Sequence, residues 1–315
     1  MPVFKIHHIT KYEYDRPVKE STNEIRIFPF EHTGQEVLQQ QLQITGQPSV
    51  ELFSDYWGNK TGTFNLLGAH KELVIENKVV VRTTGSGAPW VNYLGEFHEL
   101  ETEVTGNLHM LELARHDSIE NQHLIQEIVN EIFIPGQGVA ETIQKSCAYI
   151  FEKFEYIKGI TGIETTVDEL LHHRAGVCQD FAHVLLQILR TLKIPSRYVS
   201  GYICPNKNGM RGEGATHAWI EAWIPGQGWA GIDPTNNVWV TNTHVKLAVG
   251  KNFYDCSPVK GTFKGPAMQN LSVFVSVGYE DGRSFEEINN VKLQTEKVSV
   301  PEINLQPQQQ QQQQQ

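Results

Sequence analysis

The stretch that decides the fold reads RAGVCQDFAHVLLQILRTLKIP over residues 174–195. From Phe181 onward, apolar residues recur at i, i+3, i+4, i+7, i+8 and i+11, which is the spacing of a helix with one apolar face. Pro195 cannot continue that helix, so the helix ends before it. Gly176 permits a tight turn just upstream. Cys178 is therefore predicted to lie at or just before the first helical turn.

A cysteine in that position is well placed to act as a nucleophile. The first turn of a helix offers unpaired backbone N–H groups and a partial positive charge, and both favour the reactive thiolate. A base is still needed. The segment THAWIEAW at residues 216–223 places His217 near the start of a predicted strand. Its imidazole can take the thiol proton and later protonate a leaving amine.

The base in turn needs a group that orients it. The segment GWAGIDPTN at residues 228–236 predicts a second strand that ends at Asp233. Between the two strands, PGQG at residues 225–228 has the composition of a hairpin turn, and a hairpin lays the strands side by side. Asp233 can then hold one nitrogen of His217 and stabilise the imidazolium. The spacing predicts a Cys178–His217–Asp233 triad.

The surroundings of the triad allow more than one interpretation. Trp219, Trp223 and Tyr202 are candidates to line an acyl-substrate cleft, and they are equally suited to core packing. For Asp180, an acid in the first helical turn, a structural role is favoured, with Arg197 as a candidate partner.

Four segments, taken in this order, resemble the transglutaminase-like superfamily, in particular its bacterial and archaeal branch. They read GVCQDFA, PSRYVSGY, THAW and GIDPTN and begin at residues 176, 195, 216 and 231. Residues 4–18 and the segment DYWGN at 55–59 also resemble the β-rich domain that precedes the core in that branch. The resemblance implies a papain-like core, with Cys178 as nucleophile, His217 as base and Asp233 as orienting acid. The backbone N–H of Cys178 is the expected oxyanion donor.

The chain of 315 residues is long enough for two domains, and the predicted class is α+β. Short alternating stretches bounded by turn residues predict an amino-terminal β-sandwich over residues 1–110. Residues 111–290 are predicted to form the papain-like catalytic core, with a late strand at 273–279. The break at residues 85–89 is a candidate boundary. Residues 291–315 end in a glutamine run and are predicted to be a disordered tail.

The charge composition limits the classes of binding partner that are expected. The chain has 26 basic and 36 acidic residues and a net charge of −10, which disfavours nucleic acid and anionic membranes. No apolar run is long enough to suggest a membrane span, and no signal peptide is visible. The expectation is therefore a cytoplasmic protein with a protein or peptide substrate. Its oligomeric state is open.

The remaining cysteines and histidines are less informative. Four cysteines lack CxxC spacing, so reduced thiols are expected. Cys147 and Cys204 fit structural roles, and Cys256 is the competitor of Cys178 for reactivity. The adjacent pairs at residues 7–8 and 172–173 tempt a metal interpretation, but neighbouring side chains on a strand point to opposite faces. No metal site is predicted, and no cofactor is required.

The favoured hypothesis is that Cys178 attacks a carboxamide or peptide carbonyl and forms a thioester. If water resolves it, the enzyme is a peptidase or amidase; if an amine does, it is a transglutaminase. Hydrolysis is favoured because no second, amine-binding site can be identified. The alternatives are a non-catalytic peptide-binding module and a metal hydrolase.

Overall fold

The computed structural model describes residues 1–84, 95–162, 164–204, 210–212 and 216–279, and the backbone of a strand at 291–294. The predicted boundary at 85–89 and most of the predicted tail lie outside these residues. Among the described helices, none is long and apolar enough to cross a membrane. The strands are β1 (Val3–Ile25), β2 (Gln35–Ile44), β3 (Glu51–Ser54), β4 (Lys60–Thr83), β5 (Glu155–Tyr156), β6 (Ala175–Gly176), β7 (Ser196–Ile203), β8 (Thr216–Ile224), β9 (Gly228–Asp233), β10 (Val238–Trp239), β11 (His244–Gly250), β12 (Val259–Phe263), β13 (Gln269–Tyr279) and β14 (Val291–Gln294). The helices are α1 (Phe97–Val104), α2 (Leu108–Leu113), α3 (Gln122–Ile132), α4 (Val139–Lys153), α5 (Val167–His173), α6 (Cys178–Thr191) and α7 (Phe253–Cys256).

The amino-terminal region is strand-rich, as predicted, but its two main strands are long. β1 has 23 residues and β4 has 24, and they pair antiparallel. Their register shifts between Glu13 and Glu20, on either side of Val18. Such irregularities bend a strand pair, and apolar side chains from both sides of this one meet in a buried cluster. The cluster includes Tyr12, Ile25, Phe64, Leu66, Leu73 and Ile75.

The chain returns to this first sheet near its end. β13 pairs with residues 4–14 of β1, and β12 pairs with residues 21–25. The predicted strand at 273–279 is confirmed as the second half of β13. The range 111–290 predicted for the core therefore includes strands that complete the first sheet. They pair there because β1 offers them its free edge and an apolar face.

The second sheet has the order β10-β9-β8-β7-β11, with every pairing antiparallel. Helix α6 packs on this sheet and contributes to the largest core cluster. Ala218, Ile220 and Ala222 of β8 join that cluster, so this face of the strand packs on the helices. Together with the helices α3 and α4, this forms the α+β core that the sequence predicted.

Side-chain amides join the two sheets. The amide of Gln35 donates to the carbonyl of Lys246 at 2.7 Å and accepts its backbone N–H at 3.0 Å. The amide of Asn59 makes the same pair of bonds with Val249, both at 2.8 Å. The outer edge of β11 is thus occupied by side chains that act as a neighbouring strand does, which protects the edge and fixes the two regions against each other.

Candidate active site

One cysteine differs from the other three in its exposure. Cys178, the first residue of α6, is half-buried, whereas Cys147, Cys204 and Cys256 are fully buried. Burial raises the pKa of each of these three thiols well above its usual value. Cys256, the predicted competitor, is therefore a buried thiol that packs against the backbone of Tyr198.

The start of α6 is shaped by an acid that folds back on the turn before it. Asp180 accepts hydrogen bonds from the backbone N–H of Val177 at 2.8 Å and from the hydroxyl of Thr161 at 2.6 Å. Burial raises the pKa of Asp180. A Cβ at Gly176 would lie 2.5 Å from a carboxylate oxygen of Asp180. Gly176 is therefore required because the capping carboxylate occupies the space of a side chain.

The predicted partner of Asp180 was wrong. Arg197 forms its ion pair with Glu221 at 2.6 Å, on β8. The structural role of Asp180 in capping the helix is as predicted.

The hairpin of β8 and β9 brings His217 and Asp233 together. His217 Nε2 lies 2.9 Å from Asp233 Oδ2, and both side chains are buried. Asp233 also accepts the backbone N–H of Thr235 at 2.8 Å and the amide of Asn236 at 2.7 Å. Burial alone would raise the pKa of Asp233, but the charge of His217 and the hydrogen bonds from His217 and His244 hold it well below its usual range. Asp233 is therefore an ionised carboxylate.

His217 is the counterpart of that charge. Burial alone would lower its pKa, but the charges of Asp233 and Cys178 and the hydrogen bond with Asp233 raise it to about 10. Its Nδ1 atom, the nitrogen not bonded to Asp233, has no well-aligned hydrogen-bond partner. Nδ1 is therefore the nitrogen left for the thiol of Cys178. The imidazolium form of His217 is favoured at neutral pH.

A short segment on the carboxy-terminal side of β7 packs over this ring. A Cβ at Gly212 would lie 2.7 Å from His217 Nδ1, and Gly212 has φ +86°, so a side chain here would be both strained and blocked. The side chain of Asn236 accepts the N–H of Arg211 at 2.7 Å and donates to its carbonyl at 3.1 Å. Asn236 thus ties this segment to the carboxylate of Asp233.

Tyr156 lies beside the turn that leads to the thiol. Its backbone pairs with Gly176 through β5 and β6, and its ring contacts Phe181 with centroids 6.2 Å apart. Burial, followed by the charges of Cys178 and Asp233, raises the pKa of Tyr156 well above its usual value. The phenol stays protonated at neutral pH and is a hydrogen-bond donor.

Two of the three predicted substrate-binding residues are fully buried and cannot contact a substrate. Trp219 is fully buried against Val199 and Val249, and Tyr202 is fully buried with its hydroxyl 2.7 Å from His8 Nδ1. The cleft interpretation is corrected to core packing for both, because the first sheet covers this face of the second sheet.

Trp223, the third of these residues, is half-buried. Its indole N–H donates to Glu103 at 2.6 Å, and its ring packs edge-to-face on Trp229. It lies toward the opposite end of β8 from His217, so the structure does not bring it to the triad.

Sequence reasoning missed Asn236, His244, Tyr156 and Arg211. Asn236 stands within the GIDPTN segment, so proximity to Asp233 was a usable signal. His244 Nε2 lies 3.4 Å from Asp233 Oδ2 because β11 pairs with β7, and no local pattern indicates that pairing.

His217, Asp233 and His244 also lie close enough to suggest a metal site. Their ligand atoms fall within 4.8 Å of one another. Both histidines direct Nε2 at the Asp233 carboxylate, which also accepts two further N–H groups. Hydrogen bonding among the side chains already satisfies this donor set, so the arrangement is that of an oriented base.

Comparisons with known proteins agree with this architecture. Residues 4–82 match the family described as the bacterial transglutaminase-like N-terminal region, and residues 126–234 match the transglutaminase-like superfamily. An uncharacterized protein of Mycobacterium leprae is 32% identical over 87% of this chain and 97% of its own length. The protein-glutamine gamma-glutamyltransferase of Pseudomonas aeruginosa is 32% identical over 41% of this chain and 20% of its own length.

A solved structure extends the likeness to the fold. A Cytophaga hutchinsonii protein, provisionally described as a cysteine protease, superposes with a TM-score of 0.73 at 23% identity. The match covers 92% of this chain and 96% of that one. The two family matches thus cover the amino-terminal region and the core, and the solved structure shares the overall fold. The chain belongs to the transglutaminase-like superfamily.

Proposed function

We propose that this chain is a thiol-dependent acyl-transfer enzyme in which Cys178, His217 and Asp233 act as a catalytic triad, and that it hydrolyses peptide or amide bonds. The observation that carries the proposal is the contrast within the site. A half-buried cysteine at a helix start is next to a buried imidazole whose pKa is raised to about 10. Members of this superfamily are usually enzymes.

Each residue has a defined task in the proposed reaction. The Cys178 sulfur attacks the carbonyl carbon, and the negative charge moves to the carbonyl oxygen. The backbone N–H of Cys178 has no partner within its helix and can stabilise that oxygen. The protonated hydroxyl of Tyr156 is the candidate second donor. The C–N bond then breaks as His217 gives its proton to the leaving amine.

Resolution of the thioester completes the cycle. His217 takes a proton from water, the water oxygen bonds to the acyl carbon, and the carbon–sulfur bond breaks to return the thiolate. Asp233 keeps its charge throughout and stabilises the imidazolium whenever it forms. The carboxylate is suited to this because Asn236, Thr235 and His244 hold it in place.

Amine transfer is the second candidate function. The likeness to a protein named protein-glutamine gamma-glutamyltransferase favours it. The triad serves both reactions, and the choice depends on whether water or an amine reaches the thioester. We favour hydrolysis because we identify no amine subsite in the described part of the chain. A protein or peptide substrate and a cytoplasmic location remain predictions.

One experiment separates these functions. The protein and its Cys178→Ala variant are each incubated with a proteome-derived peptide library and a tagged primary amine, with and without a chelator. New peptide termini identify a peptidase, glutamine-to-glutamate conversion an amidase, and tag incorporation a transglutaminase. All three should need Cys178 and ignore the chelator. Peptide retention without conversion would identify the binding module, and loss of turnover with the chelator a metal hydrolase.

A further inference from the structure

Arg211 is held at the rim of the proposed site by its backbone. Asn236 bonds to both its N–H and its carbonyl, and the same Asn236 amide donates to Asp233. The next residue, Gly212, packs directly on the His217 ring. The position of Arg211 is therefore set by the triad's own supports and does not depend on its side chain.

The guanidinium of Arg211 packs on an aromatic ring. It lies over the ring of Phe151, 4.8 Å from the centroid, in an exposed position. Among the described residues no carboxylate approaches it within ion-pair distance, whereas Arg26, Arg82 and Arg197 each pair with an acid. With no acid of the described ranges paired to it, this guanidinium is available to an anion from outside the chain.

The positive charge of Arg211 acts on Tyr156, a residue of the proposed site. Tyr156 has a raised pKa, chiefly through burial and then through Cys178 and Asp233, and Arg211 opposes that rise. Asp180 and Asp233, the acids that also act on Tyr156, are occupied by hydrogen bonds of their own. No carboxylate in the described part of the chain pairs with Arg211, which leaves its guanidinium to the anion of a ligand.

We propose that Arg211 is a specificity residue that binds a carboxylate of the acyl donor, so that the substrates are peptides or amides with a free carboxylate near the scissile carbonyl. This inference rests on the proposed function, because it assumes that the acyl group lies at Cys178. The exposed position predicts an electrostatic contribution of modest size that weakens with salt.

Two alkylating reagents test the inference without a known substrate. Iodoacetate carries a carboxylate next to its reactive carbon, and iodoacetamide is its neutral counterpart. The ratio of their second-order rates at Cys178 cancels the reactivity of the thiol itself. Arg211→Gln should lower that ratio by about threefold to tenfold at low salt, and Arg211→Lys should retain most of it. Arg16→Gln, an exposed arginine on β1, is the matched control and should leave the ratio unchanged.

The labelling experiment distinguishes a failure of the role of Arg211 from a failure of the proposed function. Fast iodoacetamide labelling of Cys178 with a ratio that Arg211→Gln does not change would overturn the role of Arg211 and leave the proposed function standing. Slow labelling of Cys178 by both reagents in the unmodified protein would overturn the proposed function, and the carboxylate preference with it. Unfolding curves of the variants confirm that each remains folded.

Discussion

Strand β8 carries two buried clusters of charge, one at His217 and one at Glu221, and they differ in how completely their polar atoms are paired. Glu221 pairs with Arg197 at 2.6 Å and with Lys246, and the guanidinium stacks on Trp229 at 4.3 Å. In the His217 cluster, Nδ1 is left without an aligned partner, next to a half-exposed thiol.

The pKa shifts of Glu221 and His217 have different consequences in the two clusters. Burial would raise the pKa of Glu221, but Lys246 and Arg197 lower it to about 2, so its charge is satisfied in the folded protein. The charge of His217 instead faces Asp233 and the half-buried Cys178. The paired cluster stabilises the second sheet, since its residues lie on β7, β8 and β11, whereas an incompletely paired one is available for chemistry.

The largest expected effect is on turnover. Cys178→Ala should reduce it by about 10⁴-fold or more, because the nucleophile is lost while binding is kept. The midpoint of thermal unfolding should change little, since Cys178 lies at the edge of the packed core and is only half-buried. The change is measured on whichever product the peptide library yields. Cys204→Ala is the control: it removes a buried thiol and should keep turnover while lowering the unfolding temperature.

A change in the Glu221 cluster should have the opposite effect, lowering the stability of the fold and leaving the reactivity of Cys178 intact. Glu221→Ala leaves Arg197 and Lys246 buried without their acid, and the free energy of unfolding should fall by about 3–5 kcal/mol. Urea unfolding measures this. Cys178 in the folded variant should still react with iodoacetamide. A loss below about 1 kcal/mol would mean that the cluster is not the paired structural element described here.

Tyr156→Phe tests the candidate oxyanion donor. Loss of one such donor typically costs about 10²-fold in kcat. Because the ring and its packing are kept, KM and the rate of iodoacetamide labelling at Cys178 should stay nearly unchanged. If KM alone rises, Tyr156 contacts the substrate without stabilising the oxyanion.

The smallest effect is a dependence of stability on pH. The pKa of Glu221 is lowered in the folded state, so its contribution is present above its unfolded pKa, about 4.5, and is lost as the pH falls toward 2. Glu221→Gln should flatten the stability curve in that window. Denaturant titrations at several acidic pH values measure the slope, and equal slopes for both proteins would contradict the pairing.

The residues that local patterns could predict are those whose partners are close in sequence. The stripe from Phe181 to Leu192 indicated α6, and the turn at residues 225–228 indicated the hairpin, so the positions of Cys178, His217 and Asp233 followed. The pattern was less informative where distant segments meet. Residues 15–17, Asp-Arg-Pro, have the composition of a turn, but they lie at an irregularity inside β1, because the partner strand continues past them.

Trp219 and Tyr202 were misassigned for the same reason, namely that distant segments of the chain meet there. Trp219 and Tyr202 occupy strands covered on both faces, and which sheet covers them depends on pairings between residues far apart in the chain, such as Gln35 with Lys246. A tryptophan next to a predicted catalytic histidine is equally suited to a cleft or a core, and alternation alone does not distinguish them. Arg211 and His244 reach the site through loops and strand pairings of the same kind.

The central claim, that Cys178 and His217 form a reactive pair, is tested most directly by iodoacetamide labelling of all four thiols against pH, with the sites assigned by mass spectrometry. We predict that Cys178 labels fastest and keeps its rate well below pH 8.5, the ordinary pKa of a free thiol. We also predict that His217→Ala removes this advantage. A Cys178 that stays unlabelled in the folded protein, or that reacts like a free thiol whether or not His217 is present, would contradict the claim.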